Sequence, residues 1–414
     1  MKKMSTWRKT FFTIYLGQAF SLLSSSAVQF SMIWWITMET GSALALTIAS
    51  VVGLLPQAII GPFAGVWIDR FNRKKIMIIA DAAVALSSLF LCVLFLLGYQ
   101  SLSFVYVVLL IRALGETFHK PAMQTLIPQL VPSAELTKAG GFGQMINSAC
   151  SMIGPMLGAL LMSVTTLPYT MLIDVIGAIL AILTLSLVHV STPPINLNSK
   201  LTVIEDMKQG ILTIKSNKAL LRLSIPVLIS TIIFVPLGTL LPLMVKGYFN
   251  GTAWHNGIVQ TLFSSGMLIA AMIIGLTGGL QRQFLMIALS MGLLGLCSFI
   301  SGFLPATWFW VFCIAVFIMG TTSMGFNIPF TAYIQRTVPS ENLGKVISLV
   351  TSIMSFAAPV GMFIAGPVSE LLGVSNWMIL AGILMVFVSL SCYLLTREFD
   401  IPLIKESAAC GENK

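Results

Sequence analysis

The sequence predicts an all-α integral membrane protein with twelve transmembrane helices arranged as two bundles of six. Three observations support this fold class: an apolar composition, apolar stretches that recur along the chain, and one polar interval that divides those stretches six and six. Of the 414 residues, 57% are hydrophobic and 9% are charged, whereas soluble domains have roughly 45–50% apolar and 25% charged residues. Such a chain cannot cover a water-exposed surface with polar side chains.

Twelve apolar stretches are long enough to cross, as helices, a hydrocarbon core of about 30 Å. They span residues 11–36, 44–66, 75–97, 102–121, 139–164, 169–190, 219–245, 257–280, 284–303, 307–331, 345–370 and 375–396. The first follows a basic segment, as in a signal peptide, but it is too long for the apolar region of one and lacks a small-residue cleavage site. We therefore expect it to be the first transmembrane helix.

The basic residues lie almost entirely on one side of the predicted membrane. When alternate loops are assigned to one side, that side holds all of the 23 Lys and Arg residues except Lys246 and Arg112. The positive-inside rule then predicts a cell-membrane protein with both termini in the cytoplasm. This orientation accounts for the net charge of +9, so we expect no nucleic-acid partner.

The polar interval at residues 191–218 sets the predicted domain boundaries. Residues 1–190 form an N-terminal six-helix bundle, 191–218 a cytoplasmic linker, 219–396 a C-terminal six-helix bundle, and 397–414 a cytoplasmic tail. Within the linker, Thr202 and Glu205 have the spacing of a helical capping box. Apolar residues at helical spacing follow, which predicts an amphipathic helix along the cytoplasmic surface.

The two halves resemble each other in sequence. The chain reads VPSAELTKA at 131–139 and VPSENLGKV at 338–346, an offset of 207 residues. Paired six-helix units suit a transporter whose halves expose a central site alternately to each side. The histidines at 119, 189 and 255 lie at separate span ends, and the six cysteines show no metal-ligand spacing. We therefore expect neither an enzyme nor a metal or cofactor site.

The stretch GVWIDRFNRKK at 65–75 concentrates five charged residues in its last seven positions. Membrane topology alone explains the basic residues of this predicted cytoplasmic loop, but it explains neither Asp69 nor the glycines. Here the sequence resembles the major facilitator superfamily, whose loop signature is G-x-x-x-D-R-x-G-R-K. The matching residues are Gly65, Asp69, Arg70, Arg73 and Lys74, with Asn72 in place of the second glycine.

The resemblance implies a conformational latch between the halves on the cytoplasmic side. Asp69 would face the positively polarised N-terminus of the eleventh membrane helix, near Leu343. The equivalent loop of the other half, GLTGGLQRQF at 275–284, keeps Arg282 but has no Asp. The predicted latch is therefore one-sided.

Two further motifs resemble signatures of this superfamily. Arg112 with Gly115 resembles the arginine signature of the fourth helix, and Gly154, Pro155 and Gly158 resemble the G-P-x-x-G antiporter signature of the fifth helix. The chain is more closely similar to bacterial macrolide-efflux permeases of the superfamily, in stretches that include GQAFSLLSSSAVQ at 17–29 and LGKVISLVTSIMSFAAPVG at 343–361. This resemblance implies a proton-driven drug exporter.

Arg112 is predicted to lie near the bilayer midplane, where an ionised side chain costs about 2.5 kcal/mol or more. We expect it to face a cavity or a partner. Glu116 is one turn away on the same helix face, so Arg112 is expected to hold it ionised. Glu116 is the first candidate for the proton carrier and Asp81 the second. The resemblance implies that the third and sixth helices are peripheral, which favours a structural or latch role for both Asp81 and Asp174.

The first helix carries a stripe of neutral polar residues on one face: Gln18, Ser21, Ser25 and Gln29. Together with Asn147 and Asn327, these residues are candidates for the wall of an aqueous substrate cavity. Ordinary hydrogen bonding between helices is the alternative explanation.

The leading hypothesis is proton-coupled export of bulky amphipathic drugs, with macrolides as the substrates that the resemblance implies. The alternatives are export of an endogenous metabolite, such as a siderophore or a peptide antibiotic, and a membrane sensor without transport. No glycine-rich phosphate loop followed by Lys and Ser or Thr is present, so direct use of ATP is not expected. An ATP-binding partner protein has no support in the sequence.

Overall fold

The computed structural model describes residues 2–132, 135–188 and 203–400. Within these residues, twelve helices are long and apolar enough to cross a membrane, which confirms the predicted all-α membrane fold. The chain divides into two compact units. The first comprises Met1–Gly41, Ala49–Leu201 and Thr252–Gly257, and the second comprises Ser42–Ile48, Thr202–Gly251 and Ile258–Lys414.

The first unit is a bundle built from the first six helices. They are α1 (Lys2–Thr40), α2 (Ala43–Arg70), α3 (Arg73–Leu96), α4 (Leu102–Leu130), α5 (Leu136–Val164) and α6 (Leu167–Leu187). Helix α1 packs against α5 and α6, and α3 packs against α4 and α6. A buried apolar cluster that includes Ile14, Met77 and Leu126 joins five of these helices near the end where α2 leads into α3.

The second unit repeats these pairings. Its helices are α7 (Val203–Ser216), α8 (Lys218–Leu243), α9 (Ala253–Thr277), α10 (Gln283–Phe303), α11 (Phe309–Thr337), α12 (Ser340–Leu372) and α13 (Val374–Thr396), with a π-helical turn at Met244–Tyr248. Helix α8 packs against α12 and α13, and α10 packs against α11 and α13. Helix α11 begins 207 residues after α4, the offset of the sequence repeat.

Within each unit, connections of five residues or fewer join consecutive helices, and local chemistry determines where the helices end. The Asn72 side chain accepts a hydrogen bond of 3.2 Å from the Lys75 amide and caps the start of α3. The turns before α2 and before α13 contain Gly41 (φ 56°) and Gly373 (φ 87°). A side chain disfavours these left-handed conformations, which explains why glycine stands at both positions.

Several helices continue beyond the predicted apolar spans. Helix α1 begins at Lys2, whereas the predicted span begins at residue 11, and α12 begins at Ser340 rather than 345. Hydropathy marks the part of a helix that suits a bilayer, but backbone hydrogen bonding continues through the polar residues on either side. The spans were therefore predicted well in position and too short in length.

Helix α7 lies in the interval predicted to be a linker, and it packs against α12. A β-carbon at Gly210 would lie 3.2 Å from both the Leu349 side chain and the Lys345 carbonyl, so the two helices are in close contact there. Ile214 is buried in the same contact. Thr202, the first residue of the predicted capping box, lies outside the described residues, and the predicted domain boundaries remain predictions.

The described chain ends in a 3₁₀ turn, Arg397–Phe399, that packs against the second unit. The carboxylate of Asp400 accepts hydrogen bonds of 3.2 Å from the amides of Phe284 and Leu285, and so caps the start of α10. Glu398 lies 3.3 Å from Arg222. The loop before α10 contains no Asp. The carboxylate at this helix N-terminus therefore comes from Asp400, which follows α13.

Candidate functional site

A cavity of about 580 Å³ lies in the first unit, between α1, α4 and α5. Its wall combines polar and apolar surface in similar amounts. The residues that determine its chemistry are Gln18, Ser25, Glu116, His119, Lys120 and Asn147. The volume falls within the range of roughly 300–1,000 Å³ that is typical of sites for drug-sized molecules.

The predicted polar stripe of α1 contributes only part of this wall. Gln18 and Ser25 line the cavity, and Ser21 is buried beside them without lining it. Gln29, two turns further along the helix, is exposed and does not line the cavity. The predicted face of the helix therefore borders the cavity along less than its full length.

The two asparagine candidates belong to different units. Asn147 of α5 lines the cavity of the first unit, whereas Asn327 is exposed on α11 of the second unit. In the second unit, the rings of Phe263 and Phe326 each lie 6.2 Å from the ring of Phe234. The structure thus brings Asn147, but not Asn327, to the described cavity.

Arg112 forms a buried ion pair with Asp174 of α6, with its Nη1 donating to Asp174 Oδ2. Asp174 also accepts hydrogen bonds from Ser25 Oγ (2.9 Å) and Ser88 Oγ (2.8 Å). The second amino group, Nη2, donates to the Ser25 carbonyl at 3.0 Å. The carboxylate is thus surrounded by donors from three helices, so both buried charges are compensated.

The expected pairing of Arg112 with Glu116 is wrong. Glu116 lies 2.9 Å from Lys120, one turn further along α4, and the side chain of Glu116 is 59% exposed. Because Glu116 points toward the open cavity, it reaches Lys120 rather than the guanidinium one turn back. The partner of Arg112, Asp174, comes from a helix that the sequence alone does not place beside α4.

A second buried acidic group, Asp81 of α3, lies behind the cavity wall. Its Oδ1 is 3.5 Å from His119 Nε2, and its Oδ2 accepts a hydrogen bond of 3.4 Å from the Gln18 side-chain amide. Asp81 is buried, while His119 and Gln18 line the cavity. His119 was not among the predicted site residues, although Arg112, Glu116 and His119 have the i, i+4, i+7 spacing of one helix face.

Of the five predicted latch residues around the turn between α2 and α3, the structure describes the side chains of two, Arg73 and Lys74. Arg73 Nη1 donates to the Thr125 carbonyl at 3.2 Å. Lys74 Nζ donates to the carbonyls of Ser186 (3.1 Å) and Val188 (2.7 Å), at the end of α6. These contacts hold helix ends together within the first unit. Gly65 lies inside α2, and its surroundings and the side chains of Asp69 and Arg70 lie outside what the structure describes.

The glycines of the predicted antiporter signature mark the contact between α5 and α1. A β-carbon at Gly158 would lie 2.5 Å from the Ala27 carbonyl oxygen, and one at Gly154 would overlap the Ser26 side chain. Pro155 lies between them inside α5. Small residues at this spacing let two membrane helices approach closely, and α5 is one wall of the cavity.

Comparison with known proteins agrees with this architecture. The family model described as the Major Facilitator Superfamily matches residues 14–362 and 249–409. The chain is 36% identical to "Macrolide efflux protein A" of Streptococcus pyogenes over 404 residues, which cover 97% of this chain and all of the relative. It is 37% identical to "Macrolide efflux protein A" of Enterococcus faecalis over 323 residues, which cover 78% of this chain and all of that relative.

Solved structures support the same fold. The crystal structure of the nucleoside transporter NupG superposes with a TM-score of 0.73 at 11% sequence identity, over 93% of this chain and 98% of the other. At that identity the similarity concerns the fold alone. Twelve apolar helices and the similarity to efflux proteins indicate a multi-pass protein of the cell membrane, and a transporter rather than an enzyme. The family model and the full-length relatives together show that the chain belongs to the Major Facilitator Superfamily.

Proposed function

We propose that this transporter is a proton-coupled exporter of bulky amphipathic drugs, with macrolide antibiotics as substrates. The observation that carries the proposal is the cavity of about 580 Å³ in the first unit, whose wall is part polar and part apolar, in a chain similar over nearly its whole length to macrolide efflux proteins. Uncharged polar groups such as Gln18 and Asn147 suit the hydroxyl and carbonyl groups of a macrolide. Glu116 suits its basic amine.

Transport by alternating access is proposed because the repeated six-helix units suit it. Such transporters bind substrate near the middle of the membrane and expose the site to one side at a time. In this proposal, Arg112 and Asp174 keep α1, α3, α4 and α6 in fixed register around the cavity. Close packing of α5 on α1 at Gly154 and Gly158 keeps the opposite wall in place.

The charged loop is proposed to act as the latch on the cytoplasmic side. Asp69 and Arg70 are the proposed switching residues. Arg73 and Lys74 anchor the loop to α4 and α6 through backbone carbonyls. Both termini are proposed to be cytoplasmic, because this places nearly all basic residues on the inner side.

The test is the accumulation of a radiolabelled macrolide in cells that express the chain, with and without a protonophore. We expect expressing cells to accumulate less drug than cells with the empty vector, and we expect the protonophore to abolish the difference. Equal accumulation in both strains would contradict export of macrolides and would favour a different substrate, such as an endogenous metabolite. Export that survives the protonophore but stops on ATP depletion would contradict proton coupling.

A further inference from the structure

The Asp81 and His119 side chains form an acid–base pair at the cavity wall. His119 lines the cavity, and Asp81 lies behind it. Their side chains are only 9% and 14% exposed, and Asp81 Oδ1 lies 3.5 Å from His119 Nε2. This distance is within ion-pair range but long for a hydrogen bond, so the pair is not locked in one arrangement. Among the described residues, Asp81 has no Lys or Arg partner.

The other two carboxylates near the cavity are less suited to carry a proton through a transport cycle. Asp174 is held by Arg112, which cannot release a proton, and by two serine hydroxyls. Glu116 is largely exposed to the cavity and pairs with Lys120, so bulk solvent screens its charge. Asp81 differs from both because its nearest ionisable neighbour is an imidazole, whose charge changes between about pH 5 and pH 8.

Gln18 connects this pair to the cavity. Its side-chain nitrogen donates to Asp81 at 3.4 Å, and its carbonyl oxygen is buried without a hydrogen-bond partner. An unpaired buried acceptor is costly, and it suits a ligand that brings a donor. Gln18 and His119 both line the cavity, so a cationic amine bound there lies close to the pair.

We infer that Asp81 and His119 together bind the transported proton and that Gln18 relays the presence of a cationic drug to this pair. Without the proton, Asp81 is a carboxylate and His119 is neutral, so the pair carries one negative charge. A proton from the cavity water converts His119 to imidazolium and makes the pair neutral. A drug cation favours the negative pair and a bound proton favours drug release, which is the competition that exchange requires.

Other ionisable groups face the same space and do not change this assignment. They are Tyr15 of α1, Glu116 and Lys120 of α4, and Cys150 of α5. Glu116 and Lys120 neutralise each other, and tyrosine and cysteine do not ordinarily change charge below pH 8. The inference rests on the proposed proton coupling, and its test must separate the two.

The first experiment measures proton release from the purified full chain in weak buffer when a macrolide is added. Wild type should release protons. We expect His119→Gln to abolish the release, because it removes the group that takes up the proton, and Asp81→Asn to reduce it, because it removes the negative charge beside the imidazole. Equilibrium drug binding by each variant shows that it is folded. Glu39→Gln, an exposed carboxylate at the far end of α1, is the matched control and should behave as wild type.

The outcomes distinguish the two proposals. No proton release from drug-bound wild type would contradict proton coupling itself. Release from wild type that persists in both drug-binding variants would overturn the Asp81–His119 assignment and leave proton coupling intact. Loss of release in Glu116→Gln, with retention in His119→Gln, would assign the proton to Glu116 instead.

A second measurement does not depend on transport. The chain has three histidines, so NMR of histidine-labelled protein yields three titration curves, which His119→Gln and His255→Gln assign. We expect Asp81→Asn to change the His119 curve, because it removes the carboxylate beside the imidazole, and to leave the His255 curve in place. An unchanged His119 curve in Asp81→Asn would overturn the inference.

Discussion

Removing either member of the buried Arg112–Asp174 pair should destabilise the first unit, and the two losses should be unequal. Asp174→Leu leaves the guanidinium buried without its carboxylate, a situation that costs about 3–5 kcal/mol. The guanidinium cannot lose its charge by releasing a proton. The hydroxyls of Ser25 and Ser88 contribute little to this cost, because they can turn to backbone carbonyls of their own helices.

Arg112→Leu should cost less, about 1–3 kcal/mol, because the stranded Asp174 keeps two serine donors and can take up a proton. The double variant Arg112→Leu/Asp174→Leu should lie closer to wild type than Asp174→Leu does, since replacing a whole buried ion pair by apolar residues is often nearly neutral.

The free energy of unfolding of each variant in mixed detergent and SDS micelles measures these effects. The matched control is Glu398→Leu, which breaks the exposed pair with Arg222 and should cost less than about 1 kcal/mol. Additive single-variant effects, or an Arg112→Leu variant less stable than Asp174→Leu, would refute the reasoning.

Four further changes test other parts of the structure. Gly158→Leu should destabilise the protein by about 1–3 kcal/mol through overlap with α1. Gly140→Ala on the same helix should not, because a β-carbon at that position has no atom within 4 Å. Equal thermal stability of the two variants would contradict the close-packing role. Lys74→Met should cost about 0.3–1 kcal/mol by removing a cation from the end of α6, and a melting temperature at or above that of wild type would count against it. Asp400→Ala should cost about 0.5–2 kcal/mol through loss of the α10 cap, which chemical unfolding of the full chain measures, with no change in midpoint as the contrary result. Asp69→Asn should reduce drug export but not membrane insertion, and wild-type export from well-expressed protein would argue against the latch.

Hydropathy and charge were enough to predict the twelve membrane helices, because the bilayer imposes one dominant requirement on every span. The same signals did not predict where helices end. Helix α1 begins nine residues before the predicted span, at Lys2, because polar residues extend a helix without making it more apolar. The repeat at an offset of 207 residues was visible in the sequence, and the two units pair their helices in the same way.

The site was less predictable because its partners come from different helices. Spacing along α4 predicted that Arg112 would pair with Glu116. In the structure, the orientation of α4 against α3 and α6 pairs Arg112 with Asp174 and His119 with Asp81. A sequence fixes the face on which a residue lies but not which helix that face meets. The i, i+4, i+7 pattern of Arg112, Glu116 and His119 was the available signal, and it identifies His119 without naming its partner.

Proton-coupled export of macrolides can be measured with the purified full chain in proteoliposomes that have an imposed pH gradient, with a radiolabelled macrolide in the external medium. Molecules with the predicted cytoplasmic face toward the external medium should accumulate the drug inside the vesicle when the lumen is more acidic than the medium. The accumulation should disappear when a protonophore collapses the gradient. Protein-free liposomes with the same drug and the same gradient provide the baseline, because a basic drug collects passively in an acidic lumen. We expect accumulation above that of protein-free vesicles only when the gradient is present. Drug movement that is the same with and without the gradient, in protein that binds the drug, would contradict proton-coupled export.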